Sequence, residues 1–233
     1  MRKLFVGFAI TIAAFSANAQ TQSGLQIGTN LGRLFGKTGS IVENSTIKVG
    51  VVFGVVADVN LGGKVYFRPE LNFIQKGGKN TTTNTIAAAT YTNQIDYKLS
   101  YIQLMPNFVF DINAGANKFF IGLGPELALG FEGNAKRENT TVTPGFVIVN
   151  SSNRKVKFDG KRNTTDDKLH LNAFDIGGNT IIGFKMANGA FISLSSTIGF
   201  LNLSPQDDYT LKSRSLNLKI GYMLGGAKSK NKK

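Results

Sequence analysis

The stretch NKFFIGLGPELALGFEG (residues 117–133) alternates almost without a fault. Phe119, Ile121, Leu123, Pro125, Leu127, Leu129 and Phe131 share one parity. Phe120, Gly122, Gly124, Glu126, Ala128, Gly130 and Glu132 share the other. A period of two marks a β-strand, because successive side chains point to opposite faces. One face is greasy throughout, and the second is mostly glycine with a carboxylate near its middle. The environment that accepts both faces at once decides the fold.

The same pattern recurs in eight segments, at residues 24–35, 47–61, 64–76, 95–112, 118–131, 170–186, 190–203 and 213–224. The connections alternate in length. Residues 62–63, 113–117 and 187–189 form tight turns, whereas 36–46, 77–94, 132–169 and 204–212 are longer, polar and rich in Asn and Thr. With every short turn at one end, this alternation predicts an all-β, eight-stranded, antiparallel up-and-down transmembrane barrel with short internal turns and long external loops. Fourteen residues from 118 to 131 rise about 3.3 Å each. At a tilt near 45° they cross the roughly 25 Å apolar band of an outer membrane.

Energy decides which face meets lipid. Lys64, Arg68 and Glu70 on the third segment, Glu126 on the fifth, Lys185 on the sixth and Lys219 on the eighth all lie opposite the apolar face. Each basic group facing lipid near the midplane would cost about 2–4 kcal/mol, and a few would erase a typical net stability of roughly 5–15 kcal/mol. In a membrane the apolar face therefore points outward, and these six residues form a polar network in the lumen, with Glu126 neutralised by Lys64, Arg68, Lys185 or Lys219. Small residues on the same face, such as Gly50, Gly54, Asn72, Asn107, Gly122, Gly124, Ser193, Ser195 and Gly199, suit a narrow interior. Eight strands enclose only enough space for side chains to fill, so the interior reads as a packed plug. Aromatic girdles are expected at both interfaces: Phe110, Phe119, Phe184, Phe191 and Tyr222 at the short-turn end, and Phe73, Phe131, Phe174 and Phe200 toward the long loops.

Residues 1–19 are expected to be a signal peptide. Arg2 and Lys3 supply charge, residues 4–15 an apolar stretch too short to span a bilayer, and Ala17-Asn18-Ala19 a small-residue cleavage site. The barrel would occupy 20–227, followed by a basic tail at 228–233. Gln20 is not cysteine, which excludes lipid attachment there. The 233 residues include 27 glycines, 18 phenylalanines, five prolines and neither cysteine nor tryptophan, which suits one β-rich domain and excludes thiol and disulfide chemistry. A formal charge of +13 does not signal nucleic acid here, because the chain is read as exported and shows no motif of that kind.

Three motifs carry a resemblance: YIQLMPNFVFDI at 101–112, FFIGLGPELALG at 119–130 and STIGFLNLSP at 196–205. Together they resemble the Bacteroidetes outer-membrane β-barrel family that includes PorT-like proteins. That family's Tyr-(Ile/Leu)-x-(Ile/Leu)-Pro, Gly-x-Gly-Pro and Gly-(Leu/Phe)-x-Asn patterns map onto 101–106, 122–125 and 199–202. Met105 is an extra residue before the proline, and the chain runs past Tyr222 instead of ending on an aromatic. The resemblance implies an outer-membrane location in a Gram-negative bacterium, insertion by barrel-assembly machinery and, for some members, partners in secretion. It assigns no activity to particular residues.

Function is less legible. The single histidine, His170, shares parity with Phe174 and Ile176 and is expected to face outward above the lipid, a poor place for a base serving Ser193 or Ser195. Asp166-Asp167 and Asp207-Asp208 lack the Asp-x-Asp spacing of a calcium loop. No catalytic residue, metal or cofactor is called for. The favoured reading is a non-enzymatic barrel presenting long basic loops; a soluble lipocalin-like carrier with an apolar lumen and a surface hydrolase remain alternatives. Within the loop 132–169, Phe146-Val147-Ile148-Val149 is able to extend the flanking strands as a hairpin. Arg154, Lys155, Lys157, Lys161 and Arg162 then surround a single acid, Asp159, in a cluster suited to the phosphates and carboxylates of lipopolysaccharide.

Overall fold

The computed structural model describes residues 21–162 and 164–224. The expected signal peptide, Gln20, Asn163 and the basic tail lie outside the described residues. Twelve strands occur among those described: β1 (Thr21–Thr38), β2 (Ile41–Val42), β3 (Asn44–Thr46), β4 (Lys48–Gly62), β5 (Val65–Ile86), β6 (Ala89–Ala114), β7 (Asn117–Thr143), β8 (Phe146–Phe158), β9 (Leu169–Leu171), β10 (Phe174–Lys185), β11 (Ala190–Gly199) and β12 (Tyr209–Leu224).

Eight of them close a ring. β1 pairs with β4, and the meander continues through β5, β6 and β7 to β10, β11 and β12. β12 then returns to β1 in unbroken register from Ser23↔Leu224 to Thr38↔Tyr209. All eight pairings are antiparallel. Closure leaves no strand edge in the ring, the condition that lets a sheet sit where no water can satisfy its backbone groups. The short turns at one end use glycine where the chain must reverse tightly. Gly62 and Gly63 have φ of 123° and 58°, a region that side-chain-bearing residues rarely occupy.

Burial follows the period of two around the ring. On β7, Phe119, Ile121, Leu123, Leu127, Leu129 and Phe131 are exposed, whereas Phe120, Glu126 and Ala128 are buried. Leu25 and Ile27 on β1, Val49 and Phe53 on β4, Ile102 and Phe108 on β6, Ile192 and Ile198 on β11, and Leu218 and Ile220 on β12 continue the exposed apolar belt. A contiguous apolar surface around the whole circumference belongs in lipid. The inward phase of small residues also has a visible cause: the buried rings of Phe120 and Phe191 lie where side chains on Gly183 and Gly221 would otherwise project.

Three expectations need correction. Residues 77–94 are ladder, not loop: β5 and β6 stay paired up to Ile86↔Ala89, and β6 and β7 up to Thr90↔Val142; within 132–169 the hairpin expected at 146–149 forms, β7 turning into β8 at Thr143↔Phe146, but it takes up most of that loop. Thr and Asn rows form sheet once a neighbouring strand satisfies their backbone, because strand preference depends on cross-strand context. Glu132 does not share the inward face. The β6–β7 register shifts between Ser100↔Glu132 and Tyr101↔Gly130, so Phe131 and Glu132 are both exposed and the inward parity becomes odd, with Ala135 buried. Such a bulge places two residues against one and rotates everything beyond it. Phe191 is no girdle residue: it shares parity with Ser193 and Ser195 and is 3% exposed inside the barrel. Phe110, Phe119, Phe131, Phe174, Phe200 and Tyr222 do face outward, and Phe119 packs against Phe184 with ring centroids 4.7 Å apart and planes tilted by 55°.

The belt makes a direct prediction. Leu123→Arg costs about 2–4 kcal/mol in urea unfolding of the barrel in lipid vesicles. The same change at Phe146, at the tip of the β7–β8 hairpin above the belt, costs much less.

Candidate functional site

Inside the ring, five of the six residues expected in the lumen are buried: Arg68, Glu70, Glu126, Lys185 and Lys219. Lys64 is not among them. It occupies the turn after Gly63 and is solvent-exposed, because β5 begins only at Val65. The fold brings in four further buried charges, Asp58, Lys76, Asp175 and, nearer the short turns, Asp111, which pairs with the partly exposed Lys118 at 3.1 Å. All four share parity with lumenal neighbours on their strands, so the period of two marks them as inward-facing. Lys76 stands at the point where the apolar alternation of its segment ends, although the strand itself continues ten residues further, to Ile86.

Apart from the Asp111–Lys118 pair, the remaining eight charges form two chains. In the first, the Arg68 guanidinium donates to both carboxylate oxygens of Asp58 at 2.9 and 3.2 Å, and Lys185 Nζ donates to the same carboxylate at 2.7 Å. Arg68 Nε lies 3.7 Å from Glu70, and Lys219 donates to Glu70 from the far side. Gln26 Nε2 bridges Glu70 and Asn72 at 2.9 and 2.7 Å. The Arg68 guanidinium is also held between the rings of Phe120 and Phe191, 4.5 and 4.8 Å from their centroids. In the second chain, Lys76 Nζ donates to Glu126 at 2.6 Å and to Asp175 at 2.9 Å. Gln103 Nε2 adds a bond to Glu126 and Ser213 Oγ one to Asp175, each 2.5 Å. Lys76, and none of the four cations expected, is therefore the partner of Glu126.

The charges close. The first chain holds three cations and two carboxylates, and the second one cation and two carboxylates. The sum is four of each sign and a net charge of zero. Above the second chain the lumen turns apolar: Leu34, Ile74, Tyr97, Leu99, Tyr101, Leu171, Leu203 and Leu211 pack into one cluster, with the Phe158 ring edge-on to Tyr101 at 5.4 Å. The interior is thus an ionic layer under an apolar lid.

At the outer rim the basic cluster is partly neutralised. Arg154 Nε lies 3.0 Å from Asp167, Lys157 Nζ 3.4 Å from Asp159, and Arg162 Nη1 2.5 Å from Asp207. Lys155 and Lys161 are exposed, with no carboxylate partner among the described residues. Asp159 is therefore not the only acid: the fold adds Asp167 and Asp207 from outside the run. His170 also departs from expectation. Its side chain is 4% exposed, with Nδ1 2.6 Å from Asp159 and Nε2 2.7 Å from Asp166. The chain breaks between β9 and β10, where Asn172 Nδ2 donates to the Asn202 carbonyl, so parity is not transmitted from Phe174 back to His170. The bond from Asp159, then that from Asp166, raises the imidazole above its ordinary value of 6.5. The reciprocal bond from His170 lowers Asp159 to about 2. With both ring nitrogens engaged, His170 clamps the loop and is not free to act as a base for a lumenal serine. No cluster of three or more metal-ligating side chains occurs among the described residues.

The profile of the outer membrane protein beta-barrel domain matches residues 18–204, and the chain belongs to that family. Among solved structures, Ail, the attachment invasion locus protein of Yersinia pestis, is 15% identical over 88% of this chain and 99% of its own, with a TM-score of 0.40. Neisserial surface protein A is 9% identical over 85% of this chain and 96% of its own, with a TM-score of 0.36. No curated protein matches the sequence.

Two outcomes are expected. Lys76→Met leaves two buried carboxylates without a cation and destabilises the barrel by about 3–5 kcal/mol. Glu126→Ala costs less, because Asp175 still faces Lys76; both are read by urea unfolding. The rim clamp follows pH with a defined sign. Asp159 contributes fully above its ordinary 3.8 and loses its share as pH falls through about 2. His170 contributes fully below 6.5 and loses its share as pH rises through its elevated value. Protease cleavage within 159–168 should accelerate on raising the pH from 6 to 9, and His170→Gln should abolish that dependence.

Proposed function

We propose that this protein is a non-enzymatic structural and interaction barrel of the Gram-negative outer membrane, reached through a cleaved signal peptide. Its lumen is closed, and its contacts are made by the part that rises above the lipid. The observation that carries this reading is the charge-balanced network of buried side chains inside a lipid-facing apolar belt. A soluble carrier of apolar ligands would present the opposite arrangement, with its apolar face inward. The clamped imidazole of His170 speaks against a surface hydrolase.

What remains for interaction is the wall. From Tyr101 at the top of the belt to Ala89, β6 runs a dozen residues further, roughly 40 Å of strand at about 3.3 Å each, with β5, β7 and β8 alongside. Lipid surrounds the belt, and the barrel-assembly machinery inserts it. Lipopolysaccharide meets the basic rim, chiefly at Lys155 and Lys161, whose charges are not offset by ion pairs as those of Arg154, Lys157 and Arg162 are. Within its family the chain sits with the PorT-like barrels of Bacteroidetes, on the three motifs at 101–106, 122–125 and 199–202, and envelope or secretion proteins are its natural partners. Nucleic acid is not.

Two measurements test the reading. The purified barrel should migrate differently unheated and boiled, and should give no stable open conductance in planar bilayers. A steady ion current or recovery in the soluble periplasm would overturn it. Replacing Lys155 and Lys161 with glutamine should lower co-purifying lipopolysaccharide more than replacing Arg154, Lys157 and Arg162, and the difference should shrink at high salt.

A further inference from the structure

The inner face of the wall carries an arrangement unrelated to the ionic layer. The strand register sets Asn84 beside Tyr91 and Tyr91 beside Thr141; one row lower it sets Thr82 beside Asn93 and Asn93 beside Asn139. The bulge at Phe131 and Glu132 has already turned the odd residues of β7 inward, so all six side chains share the face that continues down to Tyr97 and the lumen. Opposite them, the end of β1, β2 and Glu43 complete a cleft of about 400 Å³, within the usual range for a small-ligand site. Glu43 is fixed there, since its carboxylate accepts from Asn80 Nδ2 at 2.8 Å and from the Tyr209 hydroxyl at 2.8 Å. Tyr91 is 46% exposed, and Asn84, Asn93 and Asn139 are exposed beside it.

The chemistry of this lining selects a ligand class. Side-chain amides and hydroxyls each donate and accept, and a lattice of them fits a molecule made of hydroxyl groups. One exposed aromatic ring offers a flat apolar face of the kind that the C–H face of a sugar ring covers, through dispersion and weak C–H contacts. The lining holds one carboxylate and no basic side chain, which disfavours sulfated or uronic polymers and phosphate. The polar lining disfavours a lipid tail, whose burial would leave amides unpaired.

We propose that this cleft binds a neutral oligosaccharide, with Tyr91 as the stacking platform, Asn84, Asn93 and Asn139 as hydroxyl partners and Glu43 as a fixed acceptor at the floor. The proposal rests on the outer-membrane reading only for the side of the membrane on which the cleft opens; binding by the purified chain does not depend on it.

The experiment uses the full barrel in detergent against immobilised maltohexaose, cellohexaose, mannohexaose and chitohexaose, with heparin as the polyanion control. At least one neutral chain should bind and heparin should not bind at the cleft. Tyr91→Ala should weaken binding about tenfold, the order expected for losing one packed aromatic ring, while Tyr91→Phe stays within about threefold because the stacking face survives. Each variant is checked for heat-dependent mobility, so that loss of binding is not loss of fold. Because the chain has no tryptophan, Tyr91→Trp supplies a single reporter in the cleft, whose emission should shift with the neutral ligand. Binding to heparin alone, binding to none of the neutral chains, unchanged affinity in Tyr91→Ala or an unresponsive Tyr91→Trp each overturn the proposal. Saccharide binding by a protein that fractionates outside the outer membrane would remove the topological reading and leave the cleft standing; a membrane barrel without binding would do the reverse.

Discussion

A charge sealed where bulk water cannot follow is tolerable only against an opposite charge held at contact distance. Eight strands enclose a space that side chains alone fill, and this barrel links eight buried charged groups across it. Neutrality is reached only across the two chains together, the first with one cation in excess and the second with one carboxylate in excess. Because the partners come from different strands, neutrality is a property of the closed ring: Lys219 from β12 meets Glu70 from β5, Lys185 from β10 meets Asp58 from β4, and Lys76 from β5 meets Asp175 from β10. A slip of one residue in any of these strands would turn its charge out toward lipid. The ion pairs therefore act as a register device. Replacing such pairs with apolar groups can be neutral or stabilising in general, so specificity of pairing, and not net stabilisation, is the role we assign them.

The same constraint separates the molecule into two halves with different rules. Within the belt, alternation is strict because one face meets hydrocarbon and the other a polar interior. Above it, water reaches both faces of the wall and the rule relaxes. There β7 accepts a bulge, Thr and Asn replace aliphatic residues, and strands extend far beyond the lipid. The apolar cluster around Leu99, Leu171 and Leu203 lies between the two halves.

Much of this was legible in the primary structure, because the period of two is imposed strand by strand and needs no partner to be read. The number of ring strands, the outward phase of Leu25, Phe53, Leu123 and Ile220, and the inward placement of Arg68, Glu70, Glu126, Lys185 and Lys219 all follow from alternation plus the cost of a charge in lipid. Asp58 and Asp175 carry the same signal, since each shares the inward parity of its strand.

Other features depend on which strand lies beside which, and alternation is silent about that. Lys76 becomes the partner of Glu126 only when β5 and β7 curve toward each other across the lumen, and no spacing along the chain encodes that meeting. The rows of Thr and Asn at 80–93 and 139–143 are loop-like by composition and become sheet only when the neighbouring strand satisfies their backbone groups. The bulge that turns Glu132 out and Asn139 in is a mismatch between two strands, invisible in either one. His170 is buried because Asp159 and Asp166 fold over it from the preceding loop, and a broken strand does not carry parity across the break. Local pattern set the faces of the strands; long-range closure chose the partners, since a contact between distant residues exists only after the ring has brought them together.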